Sequence, residues 1–151
     1  MIHDEIRRLY EQFRLLHYTD LFRRIREKDG QLSATEAFAT DVIYLLGRPT
    51  ISQFADTLGI SQPNATYKIN NLEAKGYVRR DASETDRRTC YVSVGDRFHN
   101  YYDSDDTFIT DAVEQLRDRY DERELALFED MLQTLNQTLT QITPGKAGNH
   151  S

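Results

Sequence analysis

A chain of 151 residues, 38% apolar and 29% charged, has enough side-chain mass for one domain with its own core. No apolar run approaches a membrane span, the charged first thirty residues hold no signal-peptide core, and the lone Cys90 excludes an internal disulfide and fits a reducing compartment. The net charge of −6 excludes a uniformly basic nucleic-acid binder, so the placement of charge matters more than its sum.

Ile2, Ile6, Leu9, Phe13 and Leu16 recur at alternating four and three residues among charged neighbours, which predicts an amphipathic first helix with a seam. The stripe shifts at His17-Tyr18, continues through Leu21, Phe22 and Ile25, and ends at Lys28-Asp29-Gly30. Ser33 and Glu36 have the spacing of a capping box, so a second helix should begin there and run to about Leu46. Ala37, Phe38, Val42, Ile43, Leu45 and Leu46 are apolar around much of its circumference, the pattern of a helix at the centre of a domain, and Gly47-Arg48-Pro49 stops it.

Ile51, Phe54, Ala55 and Leu58 fall on one side of a short third helix, Gly59 supplies the positive φ that ends it, and Ser61 can cap the next. Two helices joined by so tight a turn cross steeply, as in a helix-turn-helix. The fourth helix, Gln62 to about Lys75, has a narrow apolar stripe of Ala65, Ile69 and Leu72. Opposite it lie Pro63, Tyr67, Asn70 and Asn71, with Gln62, Asn64, Thr66 and Lys68 on the flanks. Amides and hydroxyls both give and take hydrogen bonds and suit base edges, and Lys68 suits a phosphate. A merely solvated face would favour Glu and Lys.

After Gly76 the period changes to two. Tyr77–Arg80 and Thr89–Val94 read as paired strands, joined by a polar loop from Asp81 to Arg88. Arg87 and Arg88 at the tip of such a hairpin can put a guanidinium into a narrow minor groove, with Asp86 beside them to hold it.

The order and spacing of Leu58-Gly59-Ile60-Ser61-Gln62-Pro63, Leu72-Glu73-Ala74-Lys75-Gly76-Tyr77-Val78-Arg79-Arg80 and Asp86-Arg87-Arg88-Thr89 resemble the MarR-type winged-helix transcription regulators. The resemblance implies a mainly α fold with a small β-hairpin wing. It divides residues 1–142 into dimerisation helices at 1–28 and 98–142 and a winged helix-turn-helix lobe at 33–97. It also implies that the helix from residue 62 to 75 enters the major groove and that Arg88 enters the minor groove, oriented by Asp86. The DNA-contacting set is then Ser61, Gln62, Pro63, Asn64, Thr66, Tyr67, Lys68, Asn70, Asn71, Asp86, Arg87 and Arg88. Tyr67 departs from the Arg or small residue common at its position in the family, so base preference does not carry over. The family implies a bacterial cytoplasm, a role as a repressor, and a small aromatic or lipophilic effector, for which His17, Tyr18, Phe22, Phe38 and Tyr44 are candidates.

Charge is distributed in keeping with a DNA-facing side. From Tyr67 to Val94 six basic residues stand against four acidic, whereas from Asp103 to Asp130 eleven acidic stand against three basic. Phosphates repel the second region and tolerate the first.

Beyond the wing, a helix from Asp96 or Arg97 carries Tyr101, Phe108, Ile109, Ala112, Val113, Leu116 and Tyr120, with a kink or break expected at Asp103–Asp106. From Asp121, Leu125, Phe128, Leu132, Leu135, Leu139 and Ile142 form a seam of nearly three heptads, and residues 143–151 read as a tail. Two seamed end helices expose more apolar edge than a small domain covers, which predicts a homodimer joined through them. Two recognition helices about 34 Å apart would read a near-palindromic site in double-stranded DNA. No Walker loop, dinucleotide fingerprint, serine elbow or zinc-type Cys/His pairing occurs, and the four His residues are scattered, so no catalytic residue, metal or cofactor is expected. The alternative is a winged-helix protein-interaction module without specific DNA binding.

Overall fold

A computed structural model describes residues 1–27, 32–86, 88–101 and 107–143. The stop expected at Lys28–Gly30, the break at Asp103–Asp106, Arg87 and the tail beyond Thr143 lie outside them. The chain forms two compact units, Met1–Tyr101 and Tyr102–Ser151.

The first unit holds helices α1 (Ile2–Glu27), α2 (Ala34–Leu46), α3 (Ile51–Leu58) and α4 (Gln62–Ala74), strands β1 (Val78–Ala82) and β2 (Cys90–Val94), and the short α5 (Asp96–Tyr101). Its helix ends follow local chemistry. Ser33 and Glu36 satisfy each other's free amides at the start of α2, and Thr50 and Gln53 do the same for α3. Gly59 closes α3 in the left-handed region at φ 67°, and the Ser61 hydroxyl accepts from the Asn64 amide to open α4.

The strands pair antiparallel, with Val78 opposite Val94 and Ala82 opposite Cys90. The intervening loop is therefore Ser83–Thr89, shorter than the stretch from Asp81 to Arg88 expected from sequence. Asp81 and Ala82 extend β1 through backbone pairing with Tyr91 and Cys90, which their polar and small side chains did not announce. The Val92 amide also donates to the Pro49 carbonyl at 2.8 Å, and Thr50 bridges Tyr91, so the segment before α3 anchors the hairpin's inner strand. Gly95 ends β2 where a Cβ would stand 2.7 Å from the Gly76 carbonyl, so only glycine fits this close approach.

The core gathers Ile43 from α2, Phe54 from α3, Ala65, Ile69 and Leu72 from α4, and Tyr77, Val78 and Val92 from the hairpin, with Leu21 of α1 and Phe98 of α5 at its margins. The stripe predicted on α4 is its buried face. On α2 the expectation holds for Ala37, Ile43 and Leu46, but Phe38, Tyr44 and Leu45 are exposed. The second unit contains α6 (Thr107–Arg119) and α7 (Glu122–Ile142), neither of which has a buried residue.

Candidate nucleic-acid interface

The polar face of α4 stands out from the lobe. Ser61, Gln62, Pro63, Asn64, Tyr67, Asn70 and Asn71 are exposed, while Thr66 and Lys68 are half-buried. Besides the capping hydroxyl of Ser61, two of these side chains are already engaged. The Ser52 hydroxyl donates to Gln62 Oε1 at 3.2 Å, and the Thr66 hydroxyl donates back to the Gln62 carbonyl at 3.0 Å. On the side nearer α2, Tyr67, Lys68 and Asn71 border a cleft of about 300 Å³ with Ser33, Thr35 and Glu36.

Ionic ties hold α4 on both flanks. Lys75 Nζ lies 2.9 Å from both carboxylate oxygens of Glu36 on α2. Glu73 accepts from Arg80 Nη2 at 2.9 Å and from the Arg80 backbone amide at 3.1 Å, joining α4 to the hairpin. The bonds from Arg80 outweigh partial burial and hold the Glu73 carboxyl below the usual glutamate range. Burial pushes Glu36 up, but bonds from the Ser33 amide and Lys75 overcome it, so its carboxyl too ends below the ordinary value. At the end of α4, Arg97 donates to the Lys75 carbonyl at 2.8 Å and lies over the Tyr77 ring. The recognition-type helix is thus tied to α2, to the hairpin and to the start of α5.

These ties revise the charge tally. Lys75 and Arg80 counted toward a basic surface in sequence, yet both are spent on carboxylates. Among the described residues Lys68, Arg79 and Arg88 form no ion pair, and Arg79 is an exposed residue of β1 that sequence reasoning left out of the candidate site. Its alternation with buried Val78 was the available signal. Arg48 was also missed; it stacks over Tyr91 at 4.5 Å, with Asp81 3.8 Å away.

At the hairpin tip, Asp86 accepts from the Arg88 backbone amide at 2.9 Å and from the Thr89 hydroxyl at 3.3 Å. Ser83 Oγ accepts from the Thr85 and Asp86 amides, both at 3.3 Å. The carboxylate therefore shapes the turn through the Arg88 backbone, and the exposed Arg88 projects from a braced loop.

Of the five effector candidates, four come together and one does not. Tyr18 and Phe22 meet Phe38 edge-on at 6.4 and 6.1 Å, and His17 Nε2 lies 3.2 Å from Asp41 Oδ2. Tyr44 instead stacks on Phe98 at 5.0 Å. Burial raises the Asp41 carboxyl above the ordinary aspartate range, against the pull of His17 and Arg24. Cys90 is half-buried with a free thiol. Among the described residues no group of His, Cys, Asp or Glu could hold a metal ion, and no helix is long and apolar enough to cross a membrane.

A sequence model of the MarR family matches residues 39–89, which run from within α2 through the helix-turn-helix and β1 to the end of the hairpin loop. An uncharacterized HTH-type transcriptional regulator of Bacillus subtilis (strain 168), YkoM, is 24% identical over 106 residues, covering 66% of this chain and 68% of that protein. The crystal structure of FabT from Streptococcus pneumoniae in complex with DNA is similar at a TM-score of 0.50 and 25% identity, over 91% of this chain and 99% of that one. A mutant of MepR from S. aureus shares the fold at a TM-score of 0.60 and 14% identity, over 89% and 96% of the two chains.

Proposed function

We propose that this chain, a member of the MarR family, is a sequence-specific DNA-binding regulator of transcription. The observation that carries the reading is the exposed amide-rich face of α4, clamped beside a hairpin from which Arg88 projects. Its similarity to FabT, whose structure is a DNA complex, supports the same reading. The face of α4 enters the major groove, where Asn70 and Asn71 meet base edges, and Arg88 enters the adjacent minor groove. Lys68 and Arg79 contact phosphates.

The protein acts as a homodimer through α1 and α7, whose seams are otherwise exposed to water, and it represses by occupying a near-palindromic operator in the cytoplasm. A small aromatic or lipophilic effector would bind at His17, Tyr18, Phe22 and Phe38 and act through its different affinity for DNA-competent and incompetent states. The reading includes no catalysis.

The test is selection of bound sites from random duplexes, followed by affinity measurements across salt concentrations. A preferred site with a steep salt slope is expected, and Arg88→Ala should weaken binding at that site by roughly tenfold or more. Equal affinity for every duplex would leave a protein-interaction module instead.

A further inference from the structure

The largest exposed side chain on α4 is also the one around which its outward face is centred. Tyr67 is 66% exposed and stands opposite the buried stripe of Ala65, Ile69 and Leu72, with Asn64 and Asn71 to one side and Pro63 and Asn70 to the other. Among the described residues, no ring or cation packs on it and its hydroxyl has no hydrogen-bond partner. An apolar ring held in water at that position gains free energy only when a partner covers it.

The position says what covers it. When a helix lies in the major groove its flanks approach the two sugar-phosphate walls, while the residue at the middle of the outward face meets the groove floor. That floor is lined with hydrogen-bond donors and acceptors and has one apolar group, the thymine 5-methyl. Asn70 and Asn71 suit the polar edges around it; a phenyl ring does not. The ties of α4 through Ser52–Gln62, Glu73–Arg80 and Glu36–Lys75 keep the helix from turning to place the ring elsewhere.

On the reading that α4 enters the major groove, we infer that Tyr67 is a specificity-determining residue that reads thymine, its ring packed on the 5-methyl group. The hydroxyl lies beyond the ring and is not required for this contact.

The test uses the full chain and its selected duplex, with each thymine in turn replaced by deoxyuridine, which removes the methyl and nothing else. Wild-type protein should lose about fourfold in affinity at one position of each half-site, the hydrophobic value of one carbon group. Tyr67→Ala should bind the thymine and uracil duplexes equally, and Tyr67→Phe should retain the discrimination. A uracil penalty that persists in Tyr67→Ala, or no penalty in the wild type at any position, overturns the inference while leaving DNA recognition by α4 standing. Failure to select any site would overturn both.

Discussion

The lobe from Leu32 to Phe98 and the pair α6–α7 use apolar residues in opposite ways. In the lobe, Ile43, Phe54, Ile69 and Val92 are wholly removed from water, and the helix that faces outward is polar. In α7 the outward-facing residues are Phe128, Leu132, Leu135, Leu139 and Ile142, each at least 37% exposed. Both regions start from well-made helices, since Asp121 and Glu124 form a capping box at the head of α7 as Ser33 and Glu36 do for α2. Caps start a helix, but most helical stability comes from packing an amphipathic face. The lobe's stability is therefore internal, whereas α7, on the proposed dimerisation, would draw on a surface supplied by a second copy and so on protein concentration.

The sharpest way to break this contrast is to open a cavity in the lobe. Phe54 is fully buried, and Phe54→Ala should cost about 3–5 kcal/mol through lost burial and the void left behind. Urea unfolding followed at two protein concentrations should show the same loss at both. A strongly concentration-dependent loss would mean that the lobe is held together by a second copy of the chain.

The mirror experiment acts on α7. Leu135→Asp places a carboxylate in the proposed dimer seam and should raise the dimer dissociation constant by about two orders of magnitude, from a burial penalty on the order of 3 kcal/mol. Sedimentation should then return the 17.7 kDa species at concentrations where the wild type is a dimer, with the lobe still folded. If the variant stays dimeric, the seam of α7 is not the interface.

What sequence alone revealed follows the same division between local and distant. The Ser33–Glu36 capping box, the Gly59 turn and the stripe Ala65-Ile69-Leu72 depend on residues within a few positions of each other, and all three were legible. The capping box of Thr50 and Gln53 lay within reach of the same rule. The ties that consume cations were not legible, because Lys75 meets Glu36 across 39 residues and only the fold makes them neighbours. Nor was the parting of Tyr44 from Tyr18, Phe22 and Phe38. Which side of α2 carries a ring follows from its sequence, but what stands opposite that side, here Phe98, does not. In the candidate site the exposed polar face of α4 was readable because exposure follows helical period. The bond from the Arg88 backbone amide to Asp86 was not legible, because a carboxylate beside an Arg can bind either its side chain or its backbone.

The smallest expected effect separates the two regions by charge. Among the described residues every ion pair lies in the first unit, so acid should loosen ion pairs in the lobe and none in α6 or α7. Glu73 is held below the usual range chiefly by the hydrogen bond from Arg80. A carboxyl depressed in the folded state contributes stability that is fully present above its unfolded value, about 4.3, and is lost as pH falls through the folded value. Glu36 works in the same direction, while Asp41, raised by burial, works against it, its ionisation costing stability as pH rises through the window above the ordinary aspartate value. Because Glu73 and Arg80 are 37% and 31% exposed, solvent screens the pair, and Glu73→Gln should cost under about 1 kcal/mol at neutral pH. The difference from wild type should shrink as pH falls below the ordinary glutamate value and the native carboxyl is itself protonated. Unfolding curves of both proteins at pH 7 and pH 3 measure this. A deficit equally large at both would mean that Glu73 holds α4 to the hairpin by packing, with its charge contributing nothing.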